Sequence, residues 1–191
     1  MIIESIITTL GADGAAHIAP MGVIWRDDHP ILAPFRPSTT LDNLVHSGCA
    51  VINHTDDVRI FAGCLTGRRD WPLRPAERIS GRVLQAALAH QELMVDRIEE
   101  DELRPRFHCR VVHEAAHGAF RGFNRAQAAV IEAAILVSRL HLLPRDKVER
   151  EMGYLEIAVG KTAGPREREA WEWLTTRISA FYRDATAESA R

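Results

Sequence analysis

Several features that would assign a class at once are scarce in this chain. Cysteine is one: Cys49, Cys64 and Cys109 are the only three in 191 residues. They stand far apart without a CxxC pair, which excludes a disulfide framework and a zinc knuckle and fits a reducing compartment. Charge of one sign is also missing. Twenty-four basic residues nearly cancel 26 acidic ones, for a formal charge of -2, so nothing marks a general nucleic-acid or membrane-surface binder. Any anionic ligand then needs a local site. No stretch approaches the ~20 apolar residues of a membrane span, and Met1-Ile2-Ile3-Glu4-Ser5 lacks a basic segment before an apolar one. The expectation is a cytoplasmic protein with neither nucleic-acid nor membrane partners. The sequence shows no internal repeat and no Gly-x-Ser-x-Gly elbow, so the isolated Ser5, Asp13 and His17 do not make a hydrolase.

What the chain does have is strand-like text followed by helical text, the order of an α+β fold. Its 46% hydrophobic content is enough for a real core. Residues 2–9, rich in Ile and Thr, end at Gly11-Ala12-Asp13-Gly14, a turn that predicts a hairpin with residues 16–25. Pro20 in that second strand cannot donate to a ladder, which predicts an edge position or a bulge. A short strand over 31–35 follows, then a short helix that begins after hydroxyl caps and that Gly48 can stop, then a buried strand over 49–53. Thr55-Asp56-Asp57 opens a second helix, to about Leu65, and residues 68–78 read as a loop. Across 79–112 the text is mixed: residues 86–92 have helical composition and 107–112 read as strand. Two long strands joined near 99–102 are expected, the acidic run being a solvated turn.

Beyond Gly122, Asn124 and Gln127 resemble a capping box, and Ala128, Ile131, Ile135 and Leu142 make an apolar stripe. Pro144 opens a second helix with Val148, Met152, Leu155 and Val159 as its core face. Gly164-Pro165 opens a third with Trp171, Leu174, Ile178 and Phe181 inward, the tail fraying from Ala185. Two domains are expected, residues 1–120 and a three-helix part over 121–191.

Chemistry points first to Arg36-Pro37-Ser38-Thr39-Thr40. A helix N-terminus offers unpaired N–H groups and partial positive charge to an anion, and Arg36 with the hydroxyls would complete a phosphate cradle; ordinary capping explains the same residues without a ligand. Cys109, His113 and His117, spaced by four, would share a helix face, but on a strand they stand about 13 Å apart at ~3.3 Å per residue, too far for one ion. No metal site is expected. Arg125, Glu132 and Arg139 recur every seven residues, as a solvated stripe does.

Several separated segments carry a resemblance. Thr40-Leu41-Asp42-Asn43-Leu44-Val45-His46-Ser47-Gly48 with Val51-Ile52-Asn53 resembles the flavin-reductase-like split barrels, in which a Ser/Thr-led helix holds the FMN phosphate. Ile3-Glu4-Ser5-Ile6-Ile7-Thr8-Thr9, His17-Ile18-Ala19-Pro20-Met21-Gly22-Val23, Asn53-His54-Thr55-Asp56-Asp57, Phe123-Asn124-Arg125-Ala126 and Val130-Ile131-Glu132-Ala133-Ala134 are similar to an uncharacterised FMN-binding split-barrel family of archaea and methylotrophic bacteria. The resemblance covers nearly the whole chain. It implies a split β-barrel with a C-terminal three-helix extension, a homodimer, and FMN near the subunit interface. It places Arg36, Ser38, Thr39 and Thr40 at the phosphate and His17, Pro20, Met21, Gly22 and Asn53 near the ribityl chain or ring, with Arg125 or Glu132 as candidates for a substrate cleft. It implies an FMN-dependent oxidoreductase acting on an unknown small molecule, in which the flavin carries the electron transfer. The alternatives are a non-catalytic flavin carrier, sensor or partner protein, linked to pterin-dependent one-carbon metabolism, and a barrel that takes deazaflavin or haem.

Overall fold

Buried runs of apolar and β-branched residues build the strands of the first part of the chain, and helices build the last. The computed structural model describes residues 1–189, in two compact units. One comprises Met1–Asp56 and Asp70–Phe120; the other comprises Asp57–Arg69 and the chain from Arg121.

In the first unit, β1 (Ile2–Leu10) and β2 (Ala16–Arg26) form the expected hairpin, in register from Ile2 opposite Ile24 to Leu10 opposite Ala16. Gly14 sits in its turn at φ 77°, a conformation that suits a residue without Cβ. β3 (His29–Leu32), α1 (Thr39–Ser47) and β4 (Cys49–His54) come next, and α2 (Arg59–Leu65) crosses to the second unit. β5 (Leu73–Pro75), inside the expected 68–78 loop, and β6 (Arg82–Leu84), inside the stretch expected to begin the long strands, form a small hairpin. β7 (Ala89–Glu99) and β8 (Arg106–Ala116) are the two long strands, and β7 takes up residues 89–92 of the 86–92 stretch whose composition suggests helix. Cross-strand pairing overrides that weak propensity.

Six strands close an antiparallel barrel in the order β1-β2-β3-β8-β7-β4. Its interior holds Ile7, Val23, Leu32, Ile52, Leu93 and Phe107, with Leu41 and Leu44 of α1 packed into the same cluster. Each such side chain contributes about 1.5–3 kcal/mol through the area it withdraws from water. Ser38 caps α1, its Oγ accepting from Leu41 N at 3.2 Å, and Gly48 ends it at φ 63° with its N–H on Leu44 O. Closure is short on one side: β2 pairs with β3 only over Ile24–Arg26, so residues 19–23 have a strand partner on β1 alone among the described residues. Pro20, without an N–H, lies in that one-sided stretch.

In the second unit, α3 (Arg125–Ser138), α4 (Arg145–Thr162) and α5 (Pro165–Ser189) are joined by α2. Val58 and Ala62 share a core with Val130, Ala133, Ala134, Ala170 and Leu174. Asp57, buried at 4% exposure, takes a two-pronged contact from Arg59, Nε to Oδ1 2.9 Å and Nη2 to Oδ2 2.7 Å. Arg59 reaches on to Glu169 at 3.1 Å. Residues 57–69 had been expected with the barrel.

The expected apolar stripe on α3 is displaced. Ala126, Ala129, Val130, Ala133 and Val137 are buried, Ala128 is exposed, and Leu142 lies beyond the helix end at 70% exposure. The bundle packs on small residues that allow close helix approach, and the larger isoleucines lie at the margin. Asn124 caps α3 through Ala126 N, but Gln127 donates to Glu167 instead of reaching back, so no capping box forms. Of the core faces expected for α4 and α5, Val148, Val159 and Leu174 are buried, Met152, Leu155, Trp171 and Ile178 pack half-buried against the core, and Phe181 is half-buried outside it. α5 continues to Ser189, past the position expected to fray; Ala190 and Arg191 lie outside the described residues.

All three cysteines are buried and stand outside any disulfide. Burial pushes the Cys109 thiol up to about 12 and the Cys64 thiol up to about 11. Thiolate is the reactive form. Thiol reagent at pH 8 is therefore expected to leave the native protein unlabelled and to count three thiols only after denaturation; rapid native labelling would contradict the buried placement.

Candidate functional site

The N-terminus of α1 lies where the sequence places a phosphate site. Arg36 and Thr39 are exposed, Ser38 is half-buried and Thr40 is buried at 4%. As the first two helical residues, Thr39 and Thr40 have no intrahelical acceptor for their N–H groups. Among the described residues the Arg36 guanidinium is held by a solvent-exposed ion pair to Glu100, 3.3 Å, while its backbone N–H donates to Leu103 O at 2.9 Å. A fixed backbone with a redirectable charged head is suited to meeting an anion. Asp42 brings a carboxylate to the same first turn, where it too favours the helix dipole.

α1 packs against β1 and β2. Asn43 Nδ2 donates to Thr9 Oγ1 at 2.9 Å, and Thr9 is the register partner of His17. The helix thus lies beside the beginning of β2, whose one-sided stretch carries Pro20, Met21 and Gly22. Met21 turns partly into the barrel core, and at Gly22 a Cβ would meet Ile2 Cγ2 at 2.8 Å and Glu4 Oε1 at 3.1 Å. Asn53 is different. It is fully buried, Nδ2 donating to Ile6 O at 3.1 Å and Thr8 Oγ1 at 3.2 Å, and Oδ1 accepting from Leu84 N at 2.8 Å. Its amide is used up in joining β1, β4 and β6. Arg125 and Glu132 are exposed on α3.

The fold brings together a second group of polar residues, of which the sequence spacing singles out only His113 and His117. Cys109 and His113 lie on strand β8, as the spacing argument required, and Cys109 is part of the barrel core. His113 instead faces Glu92 across the β7–β8 ladder. His90 and Glu92, both fully buried, share one face of β7, with His90 Nε2 3.3 Å from Glu92 Oε1. His90 Nδ1 lies 2.8 Å from His117 Nε2, which also meets Arg74 Nη2. Glu92 accepts from Glu77 N at 2.6 Å, Arg78 N at 2.7 Å and Ile79 N at 3.1 Å. Burial alone would raise the Glu92 carboxyl; the three N–H bonds and His90 outweigh it and hold the group below the usual carboxylate range. The His117 ring is held below the ordinary histidine value by burial and by the neighbouring Arg74 charge. The signal that could have found the group is the i, i+2 pair His90 and Glu92 in a stretch read as strand.

A closed antiparallel barrel with a capped helix at its open side is the fold of the flavin-reductase-like split barrels. Among solved structures of that kind, the chain is similar to 2-nitrobenzoate 2-nitroreductase NbaA of Pseudomonas fluorescens, at 19% identity and TM-score 0.52, over 60% of this chain and 64% of that one. It is also similar to the NADH:FAD oxidoreductase SgcE6 of Streptomyces globisporus, at 12% identity and TM-score 0.51, over 63% and 79%.

The chain belongs to the family described as protein of unknown function DUF447, matching its N-terminal domain over residues 3–118 and its following part over 124–176. An FMN-bound protein of that family from Methanosarcina mazei, MM1853, is similar over 92% of this chain and 94% of its own, with TM-score 0.80 and 18% identity. No curated protein matches the sequence. No helix among the described residues is long and apolar enough to cross a membrane.

Proposed function

We propose that this protein binds FMN at the open side of its barrel and serves as a flavin-dependent oxidoreductase of a small molecule. The observation that carries the reading is the exposed N-terminus of α1, with Arg36, Ser38 and the Thr39 and Thr40 N–H groups, packed beside the one-sided stretch of β2. The FMN carried by MM1853, of the same family and fold, supports it. Arg36 and the first turn of α1 bind the phosphate. Pro20, Met21 and Gly22 line the approach to the ring, and His17 lies at the ribityl end. Asn53 holds the strands that shape this side of the barrel. Bound flavin would supply the electron transfer itself, and the chain supplies binding and orientation. Exposed Ile2, Phe35 and Val45 support a homodimer with the flavin near its interface. Light scattering of the purified protein tests that state.

Arg36→Ala is expected to weaken FMN about 10- to 100-fold, the loss of a charge-assisted contact worth about 1.5–3 kcal/mol, and to leave riboflavin binding unchanged. Fluorescence titration of the flavin measures both. An unchanged FMN affinity in the folded variant contradicts the phosphate assignment. Turnover of reduced nicotinamide by the FMN-loaded protein separates an oxidoreductase from a carrier that only binds.

A further inference from the structure

We propose that His90, Glu92 and His113 form a binding site for one divalent transition-metal ion of the zinc class. One nitrogen or oxygen from each residue lies within 4.8 Å of the others. Metal bonds near 2.1 Å at tetrahedral angles put neighbouring ligand atoms about 3.4 Å apart. The His90–Glu92 separation of 3.3 Å already has that value. His113 closes the set by moving inward no more than about 1.4 Å on the same geometry.

The hydrogen bonds around the site fix where lone pairs stand. Arginine only donates, so Arg74 makes His117 Nε2 an acceptor, and His90 Nδ1, 2.8 Å from that same atom, must carry the donating hydrogen. A neutral His90 then turns a bare Nε2 toward Glu92. The carboxylate has about four acceptor positions, and three already take the N–H groups of Glu77, Arg78 and Ile79. The open position is on Oε1, facing His90. Two acceptors 3.3 Å apart attract only through a cation between them, either a second proton on His90 or a metal ion.

His113 decides between these. Its Nε2 is buried without a hydrogen-bond partner; Glu77 Oε1 at 3.4 Å is within ion-pair distance but not in hydrogen-bond geometry. A proton shared by His90 and Glu92 leaves this nitrogen stranded, and a metal ion uses it. Two imidazoles and one carboxylate suit zinc-class ions over magnesium or calcium. The His90 Nδ1–His117 contact is the outer hydrogen bond that metal-bound histidines make, and the N–H groups on Glu92 orient the carboxylate likewise. A cleft of about 510 Å³, lined in part by Trp25, Gln91 and His113, reaches the His113 side of the group.

The test is zinc titration of the chelator-treated full-length protein, with metal content and heat of binding as readouts. One equivalent per chain is expected, and His113→Ala, at a half-buried side chain, should weaken it by at least about 10-fold. Zinc-edge X-ray absorption of the wild type should show two imidazoles per ion, a result that stands even where the variant does not fold. No binding, binding undiminished in His113→Ala, or a spectrum without imidazole overturns the site and leaves a proton on His90. None of these readouts involves flavin, so their failure does not touch the FMN reading.

Discussion

Replacing Asn53 by Ala is expected to destabilise the protein by about 3–5 kcal/mol, seen as a lower midpoint in urea or guanidinium unfolding. The side chain is fully buried, and its amide is oriented by its neighbours: Leu84 N–H must meet the oxygen, and Ile6 O the nitrogen. Truncation strands both backbone groups away from water, at about 1–3 kcal/mol each, and leaves a void between β1 and β6. Thr8, which accepts from Asn53 and donates to Arg82 O, loses its place in the same chain of bonds. A role at the flavin alone would weaken FMN binding and leave the unfolding midpoint in place. A loss of under about 1 kcal/mol would contradict the bracing role.

Glu92→Gln is expected to cost about 2–4 kcal/mol in chelator-treated protein, because the amide turns an N–H₂ toward N–H donors that the carboxylate accepts. Those donors belong to Glu77, Arg78 and Ile79, so the bond set anchors the turn between β5 and β6 to the barrel wall. The sign with pH follows from the lowered folded value of this carboxyl. Its stabilisation is fully present above the unfolded value, about 4.3, and is lost as pH falls through the lower folded one. The gap in stability between wild type and variant should therefore be constant near neutrality and shrink in acid. A gap that widens in acid would contradict the assignment.

Local chemistry was readable in the sequence, and pairing was not. α1 could be placed because its signals are its own: Ser38 before it, Gly48 after it, leucines between. The β1–β2 hairpin announced itself by its glycine turn, and the core faces of α4 and α5 by their spacing. β7 was obscured because residues 89–94 are chosen for contacts far away in sequence, His90 for His117 and Glu92 for the 77–79 turn. α3 misled because close packing selects alanine, which a search for large apolar residues passes over. The grouping of α2 with α3 and α5 depends on Val58, Ala62 and Arg59 finding partners more than 70 residues on, and nothing in the local text states it. Of the candidate site, the phosphate cradle was legible as a capping signal with an arginine before it. The histidine group was half legible: His113 and His117 stood out, but the β7–β8 register supplies their partners.

The most direct measurement is a side-by-side titration of the purified protein with FMN and riboflavin. Saturable binding of one FMN per chain, with riboflavin weaker by at least about 10-fold, is the result expected from a phosphate held by Arg36 and the first turn of α1. Equal affinity for the two, or no flavin binding at all, would contradict it.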